Sequence, residues 1–245
     1  MKKPRIAIPE PTSGDAAYND RSWPQYARAV EECGGVAVKI GLNAAPSEVA
    51  QLVSNCEGVL LPGSGADVDP EKYGQRREPK CGTADPKREA VDELLMQDAA
   101  NLYKPVFGIC YGFQEWNVWR GGTLIQDLAT EVNHRPGREI REAHRVQLAE
   151  GSKIEAVVGA KTLAVNSSHH QGLAMPGDGL AVVARSTDDG LIEAVESTEE
   201  QFVVAVQWHP ERSFDYDAAS RALFAAFVEA AAAWHPRVVR ESIAR

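Results

Sequence analysis

The chain has 245 residues, of which 44% are hydrophobic, so it is long enough to bury one large core. A formal net charge of −9 disfavours nucleic acid and anionic membrane surfaces as partners. Its four cysteines show neither disulfide-like nor metal-type spacing, which indicates reduced thiols, and we expect residues 1–245 to form a single domain.

Two features of the sequence argue against export and membrane insertion. Only Ile6-Ala7-Ile8 follows the N-terminal lysines before Pro9, which is too short for the core of a signal peptide. The longest apolar stretch, residues 222–234, contains Glu229 and is too short to span a bilayer. We therefore expect a cytoplasmic protein with no membrane partner.

The first part of the chain alternates between predicted strands and predicted helices. Short aliphatic runs predict three strands, at residues 5–8, 36–40 and 59–61. Helical spacing of apolar residues predicts two helices, at residues 23–33 and 47–53. Residues 62–86 follow, rich in glycine, proline and charge, and a loop of this length inside a compact domain usually serves a function.

The remainder begins with a predicted helix and strand, at residues 88–103 and 105–109. After Leu128 the pattern changes to short strands with polar turns, at residues 145–149, 163–166, 181–185 and 191–196. A last strand and helix are predicted at residues 202–207 and 218–233. We predict an α/β fold, a flavodoxin-like three-layer sandwich with a mostly parallel central sheet and a small antiparallel β extension.

The segment at residues 108–114, Gly-Ile-Cys-Tyr-Gly-Phe-Gln, joins the predicted strand at 105–109 to helical periodicity at 115–120. A sharp turn from strand to helix presents the residue at the turn, as in a nucleophile elbow, and that residue is Cys110. Amides at the helix N-terminus point toward its sulfur and stabilise the reactive thiolate. A buried structural cysteine is the alternative, but the flanking glycines and the polar Gln114 disfavour it.

A second motif lies at the end of the last predicted strand, where Gln207-Trp208 leads into His209-Pro210-Glu211. In an extended chain His209 and Glu211 point to the same side, and Pro210 biases His209 toward extended geometry. A histidine that is oriented by a carboxylate and faces a nucleophile has the geometry of a catalytic triad. The pair therefore predicts a triad of Cys110, His209 and Glu211.

These two motifs resemble the class I glutamine amidotransferase superfamily. Three further segments are similar to its γ-glutamyl-γ-aminobutyrate hydrolase branch, the peptidase C26 family; they lie at residues 58–70, 121–128 and 165–171. The resemblance runs from Ile6 to the last helix. It implies a hydrolase that needs no cofactor, acts on a small-molecule γ-glutamyl amide and forms a homodimer.

The resemblance also implies a mechanism. Cys110 attacks the γ-carbonyl to give a γ-glutamyl thioester, His209 exchanges the protons, and Glu211 orients the imidazole. Two N–H donors must stabilise the oxyanion, and the amide of Tyr111 is one of them. The other is Ser64 or Gly63, and the choice stays open because this chain departs from the family pattern at that point.

Substrate-binding residues follow from the same resemblance. Gln114 is expected to contact the amino-acid end of the glutamyl group, and main-chain groups of Ser168 and His169 are expected to hold the same end. The His169 and His170 side chains have an alternative role as structural hydrogen-bonding groups beneath the site. Four polar residues either line the amine side of the pocket or belong to a surface loop: Asp127, Asn133, His134 and Arg135.

Three other functions are weighed. A glutaminase that passes ammonia to a partner synthetase shares the triad, but residues 67–86 and the His-His-Gln segment look more like the hydrolase branch. A zinc hydrolase lacks support because the six histidines show no His-x-x-x-His spacing, and we expect no metal. A catalytically dead binding protein is disfavoured by the intact cysteine, histidine and glutamate set.

Overall fold

The computed structural model describes residues 3–236, which form an α/β fold around one mixed sheet. Within these residues the 11 strands are β1 (Arg5–Pro9), β2 (Val36–Ile40), β3 (Gly58–Leu61), β4 (Val106–Ile109), β5 (Thr123–Ile125), β6 (His144–Leu148), β7 (Thr162–Val165), β8 (Gly172–Met175), β9 (Leu180–Ser186), β10 (Ile192–Ser197) and β11 (Val203–Val206). The helices are α1 (Ala16–Glu32), α2 (Pro46–Ser54), α3 (Pro86–Leu102), α4 (Tyr111–Trp119), α5 (Lys153–Val158), α6 (Pro210–Ser213) and α7 (Ala218–Ala233).

The sheet has a parallel core and an antiparallel extension. Strands β2, β1, β3, β4 and β11 lie side by side in that order, and each pairing between neighbours is parallel. Beyond β11 the strands β10, β9, β6 and β7 continue in antiparallel pairs, and β5 and β8 pair beside β10. The predicted α/β fold with a parallel centre and an antiparallel extension is confirmed.

Helices cover both faces of the parallel core, which gives three layers. Consecutive strand residues point to opposite faces, so Phe107 packs with α1 and α7 while Val106 packs with α2 and α3. On the first face Phe107 meets the rings of Phe224 and Phe227, with centroids 5.2 and 5.7 Å apart. Each aromatic or aliphatic side chain buried in this way contributes about 1.5–3 kcal/mol relative to exposure.

Helix α1 begins at Ala16, well before the predicted start at residue 23. The carboxylate of Asp15 accepts a hydrogen bond from the amide of Tyr18 at 2.9 Å and caps the helix. Pro24 lies inside the helix rather than in its first turn. Its ring removes one backbone hydrogen bond, and the helix continues because α1 buries an apolar face that includes Tyr26 and Val30.

Helix α5 and strands β5 and β8 were not predicted from the sequence. Helix α5 carries a capping signal that could have revealed it. The Ser152 hydroxyl accepts from the Glu155 amide at 3.1 Å, Glu155 accepts from the Gly151 amide at 2.6 Å, and Gly159 ends the helix with φ of 66°. Strands β5 and β8 are too short to show a period in the sequence.

Residues 62–85 connect β3 to α3 as predicted, with a single 3-10 turn at Pro70–Tyr73 within the segment. The segment is held by one of its own carboxylates and by one on α3. Asp67 accepts from the Gly82 amide at 2.6 Å, and the Asp69 amide donates to Glu89 on α3 at 2.9 Å. These bonds bring both ends of the long connection back to the carboxyl ends of the parallel strands.

Gly112 in the first turn of α4 allows this helix to pack closely on β3. A Cβ at this position would overlap the carbonyl oxygen of Leu61, which is backbone and cannot move aside. We expect Gly112→Ala to lower the free energy of unfolding by about 1–3 kcal/mol or more, as overpacking does. Urea unfolding measures the loss. Gly41→Ala is the control, because no atom lies within 4 Å of a Cβ there, and an equal loss in both variants would contradict the packing argument.

Candidate active site

The carboxyl ends of β4 and β11 bring Cys110 and His209 into one region. These strands are parallel neighbours with Val206 opposite Ile109, so the residues that follow each strand emerge at the same edge. The Cys110 amide donates to the Val206 carbonyl at 2.8 Å. Gly63, after β3, lies between the two side chains: a Cβ there would be 3.0 Å from His209 Cε1 and 3.5 Å from Cys110 Cβ.

Cys110 occupies a strained backbone conformation at the N-terminus of α4. Its φ of 53° and ψ of −103° lie outside the regions that a residue with a side chain normally adopts. Such a conformation costs about 1–3 kcal/mol and persists where the surrounding structure enforces it, often at a functional site. The predicted strand-to-helix turn with a cysteine at its apex is therefore present.

His209 and Glu211 form a buried pair. His209 Nδ1 lies 2.9 Å from Glu211 Oε1, while His209 Nε2 is buried and has no hydrogen-bond partner within the described residues. Asn166 fixes the backbone of His209 on both sides, because its Oδ1 accepts from the His209 amide at 2.9 Å and its Nδ2 donates to the His209 carbonyl at 2.8 Å. Sequence reasoning gave Asn166 no role.

The local geometry that aligns this pair differs from the prediction. The sequence indicated an extended chain through His209 and Glu211, but β11 ends at Val206 and the helix α6 begins at Pro210. Pro210 occupies the first turn of α6, where its missing N–H costs no hydrogen bond. The histidine and the carboxylate therefore meet across the start of a short helix, not along a strand.

Burial controls the ionisation of the three groups. Burial raises the pKa of the Cys110 thiol to about 12, although Arg212 and the Tyr111 amide oppose the shift. Burial, assisted by Arg212, holds the pKa of His209 below its ordinary value of 6.5. Burial opposes ionisation of Glu211, but His209 and Arg212 outweigh it and lower the pKa of that carboxyl. These shifts favour a neutral thiol, a neutral imidazole and a carboxylate, whereas the helix N-terminus alone predicted a thiolate.

The two candidate oxyanion donors after β3 differ in their surroundings. The Gly63 amide donates to the hydroxyl of Tyr26 at 3.1 Å, in a buried hydrogen bond. Ser64 lines the cleft beside Cys110 and Tyr111, and its hydroxyl accepts from the Ala66 amide at 3.1 Å. The amide of Tyr111 lies close enough to the Cys110 sulfur to lower its pKa. The Gly63 amide is thus already engaged within the protein, whereas Ser64 and Tyr111 both line the cleft with the thiol.

The predicted substrate-binding residues all line one cleft of about 430 Å³ that also contains Cys110 and His209. Gln114 is buried, and its amide nitrogen donates to Gln207 Oε1 at 3.0 Å and to the Gln171 carbonyl at 3.2 Å. Its nitrogen is therefore used within the protein. Ser168 and His169 form the opposite wall, and burial lowers the pKa of His169 well below its ordinary value, so the ring is a neutral hydrogen-bonding group.

Of the four polar residues with two alternative roles, only Arg135 lines the cleft. Asn133 caps the backbone by accepting from the Arg135 amide at 2.9 Å, and His134 is buried behind the wall. Asp127 holds His170 Nδ1 at 3.2 Å, and Asp67 holds Nε2 of the same ring at 3.0 Å. His170 thus ties the connection at residues 62–85 to the wall of the cleft.

Four arginines line the cleft together with the thiol: Arg21, Arg135, Arg138 and Arg212. Arg212 lies 3.5 Å from Glu211 Oε1 and balances that carboxylate. Within residues 3–236, no carboxylate lies at ion-pair distance from Arg21, Arg135 or Arg138. Their positive charge is therefore available to an anion in the cleft, and of these three arginines only Arg135 was considered from the sequence, as a residue of the amine side of the pocket or of a surface loop.

The described residues contain no helix that is both long and apolar enough to cross a membrane. Among solved structures, one from Thermoplasma acidophilum, described provisionally as a component of GMP synthase, matches with a TM-score of 0.65 and 15% identity over 95% of this chain and 96% of that one. The likeness is one of fold. Fold and cleft together define an α/β protein with a cysteine at the strand-to-helix turn and a buried histidine and carboxylate pair beside it.

The family model described as Peptidase C26 matches residues 10–211, and the chain belongs to this family. It is 35% identical over 217 residues to gamma-glutamyl-gamma-aminobutyrate hydrolase PuuD of Escherichia coli K12, covering 84% of each chain. It is 36% identical over 216 residues to a Mycobacterium tuberculosis protein named provisionally as a glutamine amidotransferase, covering 86% of this chain and 68% of that one. The predicted family resemblance is confirmed.

Proposed function

We propose that this protein is a cysteine hydrolase that cleaves the C–N bond of a γ-glutamyl amide. The observation that carries the proposal is the convergence of Cys110, His209 and the Ser64 segment at one cleft. Membership of the peptidase C26 family and the similarity to gamma-glutamyl-gamma-aminobutyrate hydrolase support the hydrolase class. The strained backbone at Cys110 also supports a chemical role, since a structural thiol requires no such conformation.

In this mechanism Cys110 Sγ attacks the γ-carbonyl carbon while its proton moves to His209 Nε2. The tetrahedral intermediate collapses to a γ-glutamyl thioester, and the imidazolium gives its proton to the departing amine. Water then attacks the thioester with His209 as the base, and glutamate leaves. Glu211 holds the imidazole by its Nδ1 and stabilises the charged ring in both transition states.

The amides of Tyr111 and Ser64 bind the oxyanion in each tetrahedral intermediate. Tyr111 directly follows the nucleophile at the start of α4, where an N–H is free of the helix. Ser64 is preferred over Gly63 because the Gly63 amide donates to Tyr26. One such donor is worth about 3 kcal/mol in the serine enzymes where it has been removed.

The mechanism and the pKa directions predict the pH dependence. Because burial lowers the pKa of His209, kcat/KM should rise through a pKa below 6.5 and reach a plateau when the imidazole is neutral. Because burial raises the pKa of Cys110 to about 12, the thiol stays neutral and the plateau should continue past pH 9.0. A profile of kcat/KM between acid and alkaline pH measures both limits. A decline before pH 9.0 would instead indicate a resting thiolate and imidazolium pair.

The arginines of the cleft favour an amine with a carboxylate of its own. The glutamyl group of such a substrate carries one α-carboxylate. Arg21, Arg135 and Arg138 supply three positive charges, more than one carboxylate can balance. An amino acid as the leaving amine, such as γ-aminobutyrate, brings the second negative charge. A diamine would bring a positive charge into the same cleft, so γ-glutamyl polyamines are the poorer fit.

The test compares two γ-glutamyl amides of equal length, γ-glutamyl-γ-aminobutyrate and γ-glutamyl-butylamine, by release of free glutamate. We expect the purified chain alone to prefer the carboxylate substrate. Arg138→Gln and Arg135→Gln should reduce that preference about 10–100-fold, the value of 1.5–3 kcal/mol for a charged hydrogen bond. Arg145→Gln is the matched control, because it removes an exposed arginine from β6, outside the cleft.

The alternative is a glutaminase that supplies ammonia to a synthetase partner. It is kept because several relatives carry glutamine amidotransferase names. Slow glutamine hydrolysis, stimulation by cell extract and no activity on the larger amides would favour it. Equal rates on the charged and uncharged amides, unaffected by the arginine variants, would contradict the proposed substrate class but not the hydrolase.

A further inference from the structure

Three histidines and a glutamate meet behind one wall of the cleft, and we call them the histidine cluster: His134, His144, His169 and Glu193. His144 opens β6, Glu193 lies in β10, and the other two lie on irregular segments beside these strands. All four are buried. The Glu193 Oε1 atom lies 3.0 Å from His144 Nε2, 3.7 Å from His134 Nδ1 and 3.7 Å from His169 Nε2, so three imidazole nitrogens surround one carboxylate oxygen.

Two of these rings are fixed from behind by hydrogen-bond acceptors. His134 Nε2 lies 3.0 Å from Asp189 Oδ2, and His169 Nδ1 lies 2.9 Å from the Gln171 carbonyl. An acceptor requires the proton on the nitrogen that faces it, so in a neutral ring the opposite nitrogen presents a lone pair toward Glu193; His134 Nδ1 also lies 3.5 Å from Ser167 Oγ. A lone pair and a carboxylate oxygen repel each other unless a proton or a metal cation lies between them.

Three atoms of the cluster are buried without a partner among the described residues: His144 Nδ1, His169 Nε2 and Glu193 Oε2. Buried polar atoms of this kind are rare in native proteins and call for an occupant. Ligand atoms from His134, His144 and Glu193 all lie within 4.8 Å of one another. His169 Nε2 lies 3.7 Å from Glu193 Oε1 on the cleft side, but it does not belong to this set of three.

We propose that the histidine cluster binds one Zn²⁺ ion through His134 Nδ1, His144 Nε2 and a Glu193 oxygen, with a water molecule as the fourth ligand. A zinc ion with ligands at about 2.0–2.1 Å in a tetrahedron places its ligand atoms about 3.3 Å apart. The distances from Glu193 Oε1 to His144 Nε2 and to His134 Nδ1, at 3.0 and 3.7 Å, bracket that value. The ion replaces the hydrogen bond between His144 and Glu193.

The surroundings of the cluster match a zinc site in two further respects. Histidine ligands of zinc donate their second N–H to a carboxylate or a carbonyl, as His134 does to Asp189, whereas His144 Nδ1 has no such partner among the described residues. The charges also balance, because Zn²⁺ offsets Glu193 and Asp189. Imidazole nitrogens suit zinc and other late transition metals, whereas Mg²⁺ and Ca²⁺ prefer oxygen alone.

The site has a structural consequence for the cleft. His134 directly precedes Arg135, and the ion would tie the irregular segment at residues 126–143, which carries Arg135 and Arg138, to strands β6 and β10. Zinc is therefore a brace for the wall of the cleft. It takes no part in bond cleavage, and its ligands include neither Cys110 nor His209.

The experiment loads the chelator-treated full chain with Co²⁺ or Zn²⁺. We expect one ion per chain, the intense visible absorption of four-coordinate Co²⁺, and no sulfur-to-cobalt charge-transfer band. The spectrum should persist in Cys110→Ser and in His235→Gln, which removes an exposed histidine, and should vanish in Glu193→Gln and His144→Gln. Asp189→Asn should weaken Zn²⁺ binding by about 10–100-fold, the effect of losing a group that orients a ligand.

X-ray absorption at the zinc edge of the wild-type chain identifies the ligands without any variant. The proposal can therefore be tested even if Glu193→Gln misfolds. A shell of nitrogen and oxygen with imidazole scattering supports the proposal. Sulfur in the shell, loss of binding in Cys110→Ser or His235→Gln, or no bound ion at all would overturn it. None of these readouts depends on hydrolysis, so the experiment tests the metal site independently of the proposed function.

Discussion

Cys110→Ala is expected to abolish hydrolysis of γ-glutamyl amides while the protein folds and binds substrate normally. The thiol is 5% exposed and borders the cleft, and no other cysteine lines that cleft. In a serine enzyme that also uses a nucleophile, a histidine and a carboxylate, loss of the nucleophile lowers kcat about 10⁶-fold. Alanine keeps the Cβ, so the strain at φ of 53° is the same in both proteins and the small cavity costs little stability.

Glutamate release under excess substrate measures the activity, and isothermal titration with the uncleaved substrate measures binding. Cys33→Ala is the control, since it removes a half-buried thiol away from the cleft. Hydrolysis that survives in Cys110→Ala would remove the residue from the mechanism. Loss of folding in Cys110→Ala alone would assign the thiol to the core instead.

Much of the fold followed from local signals. Strand β2 and helix α7 lie at the predicted residues, because a short aliphatic run and a helical stripe leave little choice of period. The misses have physical reasons as well. Helix α1 starts before the predicted residue because Asp15 caps it at that point and Pro24 does not end it. Strands β5 and β8 are defined by their pairing with each other and not by their own sequence.

The site was predictable where one segment carries its own geometry and unpredictable where the fold assembles distant groups. The residues that flank Cys110 and His209 were sufficient to predict both as site residues. Asn166 clamps the backbone of His209 from 43 positions away, a pairing that no local pattern contains. The histidine cluster is equally invisible, because His144 and Glu193 are 49 positions apart and meet only when β6 and β10 join one sheet.

Burial is the other property that the sequence does not reveal. From the helix N-terminus alone, Cys110 was expected to favour its thiolate, and the N-terminal Tyr111 amide does act in that direction. Desolvation of the sulfur outweighs this effect and raises the pKa to about 12. In the proposed mechanism the thiol proton therefore moves to His209 during the reaction, so the orientation of this imidazole matters more than it would in an enzyme with a preformed ion pair.

Glu211→Gln is the second substitution with a large expected effect, since it removes the carboxylate 2.9 Å from His209 Nδ1. In the proposed mechanism the neutral thiol requires the imidazole to gain a full charge at each transition state, and we expect Glu211 to stabilise this charge. The equivalent change in a serine protease lowers kcat about 10⁴-fold. We expect a fall on the order of 10³-fold or more in kcat with KM near its original value, because Glu211 does not line the cleft.

The pH profile separates this role from a merely structural one. Glu211 raises the pKa of His209 in the native protein, so its neutralisation should move the acid limb of kcat/KM to lower pH. Steady-state kinetics of Glu211→Gln across the acid range measures both the fall in kcat and the displaced limb. Glu229→Gln, on the exposed side of α7, controls for the loss of one surface carboxylate and should match the wild type. If Glu211→Gln instead keeps its kcat and its acid limb, the carboxylate serves only to pair with Arg212, and the imidazole acts without it.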